Sequence, residues 1–473
     1  MATASFTGPA TGVVSPAYQK MTLSSNYLDI QNNGWAQQYL PELYEQEVDR
    51  YGNRTISGFL AMLSAEMPLQ SDQVIWSEQG RLHLAYAATV VPSTGVIANS
   101  SITNIDTGAS EPHGVRVGAT VVAVDTAASE VFKARVTSID GSNNITIKPY
   151  GGANVEDVIT ASGATPRNIK FFVYGSEFAK GTDTMTESVE PNFQTFTNRP
   201  MIIKDHFEVN GSDTAQIGWI EVAGESGQGG YLWYLKSAGD TRTRFNDYLE
   251  MSMVEAEKTD AASTTLVNAK IEGTEGLFAA IESRGIVADD VFDVATDALA
   301  DFDSLLAELD KQGSIEENML YLNRTSNLVF DDMLADLSKG STGGTAYGVF
   351  ENSEDMALNL GFTGFRRGSY DFYKTDWKYL NDASTRGHVG GINGLLIPAG
   401  TSSVYDQMVG ANVRRPFLHV RYRAGQTDDR KLKSWVTGSV GGAVTSNIDK
   451  MEINYLSERC LVVQAANNFV LFK

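Results

Sequence analysis

Residues 192–211 read NFQTFTNRPMIIKDHFEVNG, and polar and apolar side chains alternate along most of this stretch. An alternation with a period of two is typical of a β-strand. The stretch therefore predicts extended chain that returns to a compact body. Next comes a stripe of apolar residues at helical spacing from Tyr231 to about Glu257, which predicts a long amphipathic helix with Gly239 as its weak point.

The region before this stretch, residues 69–205, is rich in short β-prone runs. Five such runs begin with the Val115-Arg-Val tripeptide and end at Tyr174, and Asp140-Gly141 supplies a hairpin turn between two of them, because both residues tolerate positive φ. This spacing predicts a small β-barrel or sandwich at about residues 92–175. An oligonucleotide-binding barrel is the alternative, but we find neither paired exposed aromatic residues nor interleaved basic residues in the pattern.

The first 68 residues divide into two parts. Residues 1–38 contain only Lys20 and Asp29 as charged side chains. Most of the other residues in this segment are small or polar, so the segment cannot form a core of its own. We expect them to form an extended arm held by a partner subunit, and a disordered tail is the alternative. Residues 39–68 carry apolar side chains mostly three and four apart, which predicts two helical pieces.

The second half of the chain alternates between helical and strand patterns. Apolar residues at near-helical spacing predict an amphipathic helix from Val291 to Leu309, and a second helix is predicted from Arg324 to Leu337. Runs that predict strands lie at residues 318–322, 394–398, 417–423, 450–455, 460–464 and 469–473, the last of these buried. This alternation predicts an α+β fold.

The composition excludes several classes of protein. The 473 residues carry a formal net charge of −21, which argues against a protein that grips nucleic acid over most of its surface. Cys460 is the only cysteine, so intramolecular disulfides and multi-cysteine zinc sites are excluded. The chain shows neither the long apolar run of a membrane-spanning helix nor the pattern of a secretory signal.

The sequence contains no recognisable catalytic motif. Its five histidines are scattered without the spacing of metal ligands, and the glycine-rich stretches at 224–230 and 340–344 lack the residues that complete a nucleotide-binding loop. Adjacent acids such as Asp331-Asp332 are expected on a solvated surface, although a glycosidase needs its two carboxylates close only in space. We therefore predict a protein that is not an enzyme and that has no cofactor and no metal site.

One group of residues runs against the overall charge. We call it the basic cluster, and its members are Arg414, Arg415, Arg421, Arg423, Arg430, Lys431 and Lys433. Arginine pairs well with carboxylates across protein interfaces, so Arg414, Arg415, Arg421 and Arg423 are predicted to bind acidic side chains of a neighbouring copy. Ordinary surface charge and contact with DNA are the alternatives.

The order of these elements resembles the major capsid proteins of tailed bacteriophages that share the Hong Kong 97 fold, with the closest likeness to those of crAss-like and large marine phages. Residues 192–203 resemble the return of that family's extended loop, 231–258 its spine helix, and 317–323 with the terminal strands its axial and closing elements. The resemblance implies an N-terminal arm (1–38), N-terminal helices (39–68), an extended loop carrying the barrel (69–205), a peripheral domain (206–275), an axial domain (276–445) and closing strands (446–473).

The same resemblance implies a function without catalysis. Hexamers and pentamers of this chain would close into an icosahedral head around double-stranded DNA, without sequence-specific DNA binding and without a membrane. Portal, scaffold and decoration proteins are the further partners that it implies, with assembly in the host bacterial cytoplasm and the virion capsid as the final location. The alternatives are a phage tail or baseplate structural protein and a carbohydrate-active enzyme.

Overall fold

The computed structural model describes residues 66–473 except for 82, 106–107, 111–112, 161–164, 183–192, 216–221, 224–228, 231–232, 290, 292–297, 314, 340–362, 407–410 and 441–443. Two compact units are present, and we call residues 76–196 the barrel unit and the flanking chain the body unit. The predicted arm (1–38) and all but the end of the predicted N-terminal helices (39–68) lie outside the described residues.

The described residues form strands and helices as follows. The strands are β1 (Glu66–Leu69), β2 (Val74–Gln79), β3 (Ala85–Val91), β4 (Val96–Ile97), β5 (Thr103–Asn104), β6 (Ala119–Asp125), β7 (Val131–Ile139), β8 (Ile145–Pro149), β9 (Arg167–Ser176), β10 (Phe193–Asn198), β11 (Met201–Asn210), β12 (Val222–Ala223), β13 (Gly229–Gly230), β14 (Ile286–Ala288), β15 (Glu317–Leu322), β16 (Thr363–Arg367), β17 (Tyr370–Asp376), β18 (Gly394–Pro398), β19 (Thr401–Asp406), β20 (Ala411–Pro416), β21 (Leu418–Arg423), β22 (Lys433–Gly438), β23 (Lys450–Val463) and β24 (Val470–Phe472). The α-helices are α1 (Gly211–Thr214), α2 (Trp233–Glu255), α3 (Thr264–Asn268), α4 (Leu277–Arg284), α5 (Ala298–Gln312), α6 (Arg324–Lys339), α7 (Lys378–Asn381) and α8 (Arg386–Val389).

The barrel unit contains a closed antiparallel sheet. Its strands follow the order β4-β8-β7-β6-β9-β3, and pairing between β3 and β4 closes the ring, with β5 added beside β3. The turn between β3 and β4 depends on Gly95, which has φ +74°, and a Cβ there would lie 2.1 Å from the carbonyl oxygen of Ile147. Only glycine fits so close an approach. The predicted small β-barrel is thus confirmed.

Alternation of side chains explains the interior of the barrel. On β7, Phe132, Ala134 and Val136 are buried while the residues between them point outward. On β8, Ile145 and Ile147 are buried in the same alternating pattern. A strand with this pattern places one face in the core and the other in solvent. The barrel unit therefore has a hydrophobic core of its own.

Three details of the barrel differ from the sequence prediction. The barrel starts with Ala85, before the predicted residue 92. The run at Val115 is not a strand. The predicted turn after Asp140 does form, but its left-handed residue is Asn143, with φ +60°, rather than Gly141. Backbone and side-chain donors of Asn144 and the amide of Ser142 bind the Asp140 carboxylate and hold its pKa below its usual range.

The body unit contains two main sheets. The first has five strands in the order β1-β21-β23-β11, with β22 also paired to β23. The second has six strands in the order β14-β24-β18-β15-β17-β16. Two separate hairpins, β12–β13 and β19–β20, complete the strands of this unit. The mixture of helices and sheets agrees with the predicted α+β class.

The predicted helices of the body unit are largely confirmed. The long helix expected at 231–257 is α2, which buries Phe245, Leu249 and Met253. The helix expected at 291–309 contains α5, which buries Phe302, Leu305 and Leu309, although residues 292–297 lie outside the described range. The helix expected at 324–337 is α6. Spacing of three and four was therefore a reliable signal in this half of the chain.

The strand predictions are right in most places, and two stretches of the body unit differ from the sequence prediction. The runs predicted at 450–455 and 460–464 are one 14-residue strand, β23, because β11, β22 and β21 pair along its whole length. Residues 66–69, predicted at the end of a helix, form β1 instead. Pro68 removes a backbone donor that a helix would use, whereas the outer strand of a sheet tolerates the loss.

Asn198 ties three segments of the body unit together. It is 1% exposed, and its Nδ2 donates to the carbonyl oxygens of Glu275 (3.0 Å) and Leu461 (2.6 Å). Its Oδ1 accepts from the amide of Glu275 (2.9 Å) and from the hydroxyl of Thr274 (3.1 Å). A buried amide with both ends satisfied fixes the end of β10 against β23 and the turn before α4.

Replacement of Asn198 by Ala should lower the free energy of unfolding by about 3 kcal/mol, because it leaves several buried backbone groups without partners. Asn198→Asp should be at least as destabilising, since a carboxylate would face two carbonyl oxygens. Urea denaturation measures both values, with Asn168→Ala, at an exposed position, as control. Equal stability of the Asn198 variants and the control would contradict this role.

Candidate interface around the basic cluster

The basic cluster lies on two strands and the loop that follows them. Arg414 and Arg415 lie on β20, opposite Ser403 and Ser402 of β19, and their side chains lie outside the described residues. Arg421 and Arg423 lie on β21, and the remaining three members lie between β21 and the start of β22. The sequence predicted these residues as one site, and the structure divides their backbone positions between the hairpin β19–β20 and the five-stranded sheet.

β21 lies between two strands that are distant in sequence. One is β23, which is antiparallel to it, and the other is β1, which is parallel to it from the Glu66–Val420 pair to the Leu69–Arg423 pair. Nη1 of Arg421 donates to the carbonyl oxygen of Pro68 at 3.2 Å, and Arg423 forms an ion pair with Asp72. These two members of the basic cluster therefore have partners in the same chain, in and just after β1.

Glu66 is the second anchor of β1. One carboxylate oxygen lies 3.4 Å from Nη1 of Arg459, and the other forms an ion pair with Lys431. Arg459 is buried, and its other donors reach the hydroxyl of Ser457 (2.9 Å) and the carbonyl oxygen of Lys431 (2.8 Å). Burial lowers the pKa of Arg459, and the charge of Glu66 opposes that shift. We call Glu66, Lys431 and Arg459 the β1 clamp.

The clamp explains how so short a strand is held. β1 has four residues with alternating exposed and half-buried side chains, so it buries little apolar surface. Ladder hydrogen bonds to one neighbour and charged contacts at its two ends supply the remaining attachment. Sequence reasoning missed this strand because its acidic flanks and their cationic partners lie more than 350 residues apart.

Arg430 and Lys433 of the basic cluster line an open groove of about 350 Å³, together with Asp428, Trp435 and Leu456. Nε of Arg430 lies 2.9 Å from a carboxylate oxygen of Glu458, and Lys433 lies 2.7 Å from Asp428. The five cluster side chains that the structure describes all contact acids or carbonyl oxygens of their own chain. The assignment of Arg414, Arg415, Arg421 and Arg423 to an interface stays a prediction.

The residues that could carry other chemistry are dispersed. Within the described part of the chain, no group of three or more His, Cys, Asp or Glu side chains is arranged to hold a metal ion. Asp331, one of the predicted adjacent acids, forms an ion pair with Lys374. Cys460 is buried in β23, and burial raises the pKa of its thiol to about 12, so it is a packing residue. No described helix is long and apolar enough to span a membrane.

Comparison with known proteins gives likenesses in structure only. No protein-family model matches the chain, and no curated protein matches it. A structure from Gordonia phage Cozz is 8% identical with a TM-score of 0.41, over 97% of this chain and 99% of that chain. A chain of the mature capsid of bacteriophage PhiM1 is 11% identical with a TM-score of 0.37, over 92% and 91%. A chain of the capsid of Cyanophage P-SCSP1u is 8% identical with a TM-score of 0.33, over 63% and 79%. The chain thus resembles phage capsid structures.

Replacement of Glu66 by Gln tests the β1 clamp. The change should lower the free energy of unfolding by about 1–3 kcal/mol, because it leaves the buried Arg459 without a carboxylate partner. Hydrogen–deuterium exchange should become faster at the amides of β1 and β21. Glu317→Gln, at an exposed position, is the matched control. If Glu66→Gln and the control exchange alike, the clamp does not hold β1.

Proposed function

We propose that this chain is a self-assembling structural protein, the major capsid protein of a tailed phage. The observation that carries the proposal is the route of the chain. β1 and β11, which flank the barrel unit in sequence, both lie in the five-stranded sheet, while β2 and β10 pair where the chain enters and leaves the barrel unit. A unit with its own core, inserted between two strands of one sheet, adds surface for contacts between copies and requires no catalytic cleft.

The finer features of the proposal follow the Hong Kong 97 fold. In it, residues 1–38 reach a neighbouring copy, α2 is the spine helix of a peripheral domain (206–275), the axial domain spans 276–445, and β23 and β24 are the closing strands. Hexamers and pentamers then tile an icosahedral head around double-stranded DNA. Contacts that are individually weak are sufficient, because each copy repeats them with several neighbours. Portal, scaffold and decoration proteins are the partners this head would need, with assembly in the host cytoplasm.

Electron microscopy tests the proposal. The purified full-length chain, with and without a co-expressed scaffold candidate, is imaged in negative stain and sedimented in parallel. Shells, hexamers or pentamers are the expected products. A monomer under all conditions would overturn the proposal and favour a tail component or a carbohydrate-active enzyme. An assay of polysaccharide hydrolysis would then distinguish these two alternatives.

Deletion of Met1–Lys20 should leave a folded subunit that no longer forms stable shells, because this segment is expected to bind a neighbour rather than its own core. The matched control replaces the same twenty residues with a Gly/Ser sequence of equal length, which should fail as the deletion does. Particle yield in sedimentation is the measurement. If the deletion variant gives the same particle yield as the wild-type chain, residues 1–20 have no role in assembly.

The arginine pairs of the basic cluster should separate assembly from stability. Because Arg421 and Arg423 bind in and near β1, Arg421→Glu with Arg423→Glu should lower the unfolding temperature by about 1–3 °C, as expected for a loss of about 1–2 kcal/mol in a chain of this length. Arg414→Glu with Arg415→Glu should reduce particle yield about tenfold at unchanged unfolding temperature, if these two residues bind a neighbouring copy. Unchanged yield from the second pair would exclude that role.

A further inference from the structure

The outer surface of the barrel carries six side chains in two rows across three adjacent strands. One row is Lys133, Val122 and Phe172, and the next is Val131, Val124 and Lys170, each residue being the register partner of its neighbour on β7, β6 and β9. Register partners lie about 5 Å apart, so the six form one continuous surface. We call it the barrel face.

The barrel face has an apolar centre and exposed large side chains. Val122 and Val124 are half-buried in the middle strand, whereas Val131 is 63% exposed and Phe172 is 48% exposed. Tyr174, which is 51% exposed, lies two residues beyond Phe172 at a β-bulge, where Thr120 pairs with Gly175 and Val121 pairs with Val173. A bulge redirects a side chain, and here it adds an aromatic ring at the margin of the barrel face.

The two lysines of the barrel face differ from Arg167 and Arg135 of the same unit. Arg167 is paired with Asp125, whose pKa lies below its usual range because hydrogen bonds from Ala127 and Arg167 outweigh the effect of burial. Arg135 donates to the carbonyl oxygen of Glu177. Lys133 and Lys170 form no ion pair with any residue that the structure describes. Two uncompensated cations therefore flank an exposed apolar surface.

We propose that the barrel face binds an acidic surface of a second copy of this chain, an inference that rests on the proposed function. Charge complementarity supports this partner, because every copy carries 58 acidic against 37 basic residues. Apolar and aromatic side chains with cations at the edge match the composition of protein interfaces. Single-stranded nucleic acid is favoured less, because the register neighbours of Phe172 are Val122 and Ala85, so the ring of Tyr174 at the bulge is not its direct cross-strand neighbour, and two lysines are few cations for a groove that follows a phosphate backbone.

Sedimentation velocity of the full-length chain over a range of concentrations tests the proposal. Lys170→Glu and Phe172→Ala should each weaken self-association about tenfold, without change in the unfolding temperature, since both side chains point away from the barrel core. Lys180→Glu is the matched control, because Lys180 is an exposed lysine of the same unit outside the barrel face. A carbodiimide cross-link between Lys170 and a carboxylate, made in a mixture of isotopically labelled and unlabelled copies, should yield an intermolecular peptide.

The outcomes separate this proposal from the capsid proposal. If the wild-type chain forms shells and Lys170→Glu associates like Lys180→Glu, the barrel face is not a contact surface and the capsid proposal stands. If the wild-type chain is monomeric throughout, both proposals fail. If Lys170→Glu leaves self-association unchanged but abolishes binding of a fluorescent oligothymidine, the partner is nucleic acid and the second-copy assignment is overturned.

Discussion

The central strands of the six-stranded sheet, β24, β18 and β15, are buried on both faces, and the rest of the body unit is arranged around this constraint. Along β15, Leu320 and Leu322 enter the hydrophobic cluster that contains α5 and α6, while Tyr321 between them enters the cluster that contains α2, α4 and the five-stranded sheet. A strand that is buried on both faces carries apolar side chains on each of them, so other elements must cover both faces. The predicted helices α5 and α6 cover one face, where the centroid of the Phe302 ring lies 5.1 Å from that of Phe372, and α2, α4 and the five-stranded sheet cover the other.

The five-stranded sheet has a different task, because it holds the two ends of the excursion that forms the barrel unit. β11 is secured along its length by β23 and at its start by the buried Asn198. β1 has no comparable burial and depends on the clamp formed by Glu66, Lys431 and Arg459. The two attachments thus differ in kind: β11 is held by packing and hydrogen bonds, whereas β1 is held mainly by charged contacts. An attachment made of charge is weakened by salt, so β1 is the side of the excursion that ionic strength can adjust.

Local periodicity explains which parts of the fold could be predicted from sequence. The helices α2, α5 and α6 and the barrel strands repeat a pattern over many residues, and these were found. β1 was assigned to a helix because four residues are too few to show a period, and its parallel partner is distant in sequence. The exposed aromatics were missed for a related reason. Phe171 and Phe172 are adjacent in sequence, and only the inward position of Phe171 shows that Phe172 must face solvent. The partners of the basic cluster are equally distant in sequence, so local patterns could not predict which residues they contact.

The distribution of charge links these observations to assembly. A net charge of −21 makes copies of this chain repel one another, so surfaces where the local charge is positive favour association. The structure reduces the number of such surfaces, because Arg421, Arg423, Lys431 and Arg459 are occupied in holding β1. Lys133 and Lys170 remain available, and they lie beside apolar residues whose contribution does not depend on salt. Repulsion between copies is screened beyond about 8 Å at physiological ionic strength, whereas apolar contact persists. A surface that combines both kinds of contact can therefore act between acidic copies at the salt concentration of a cell.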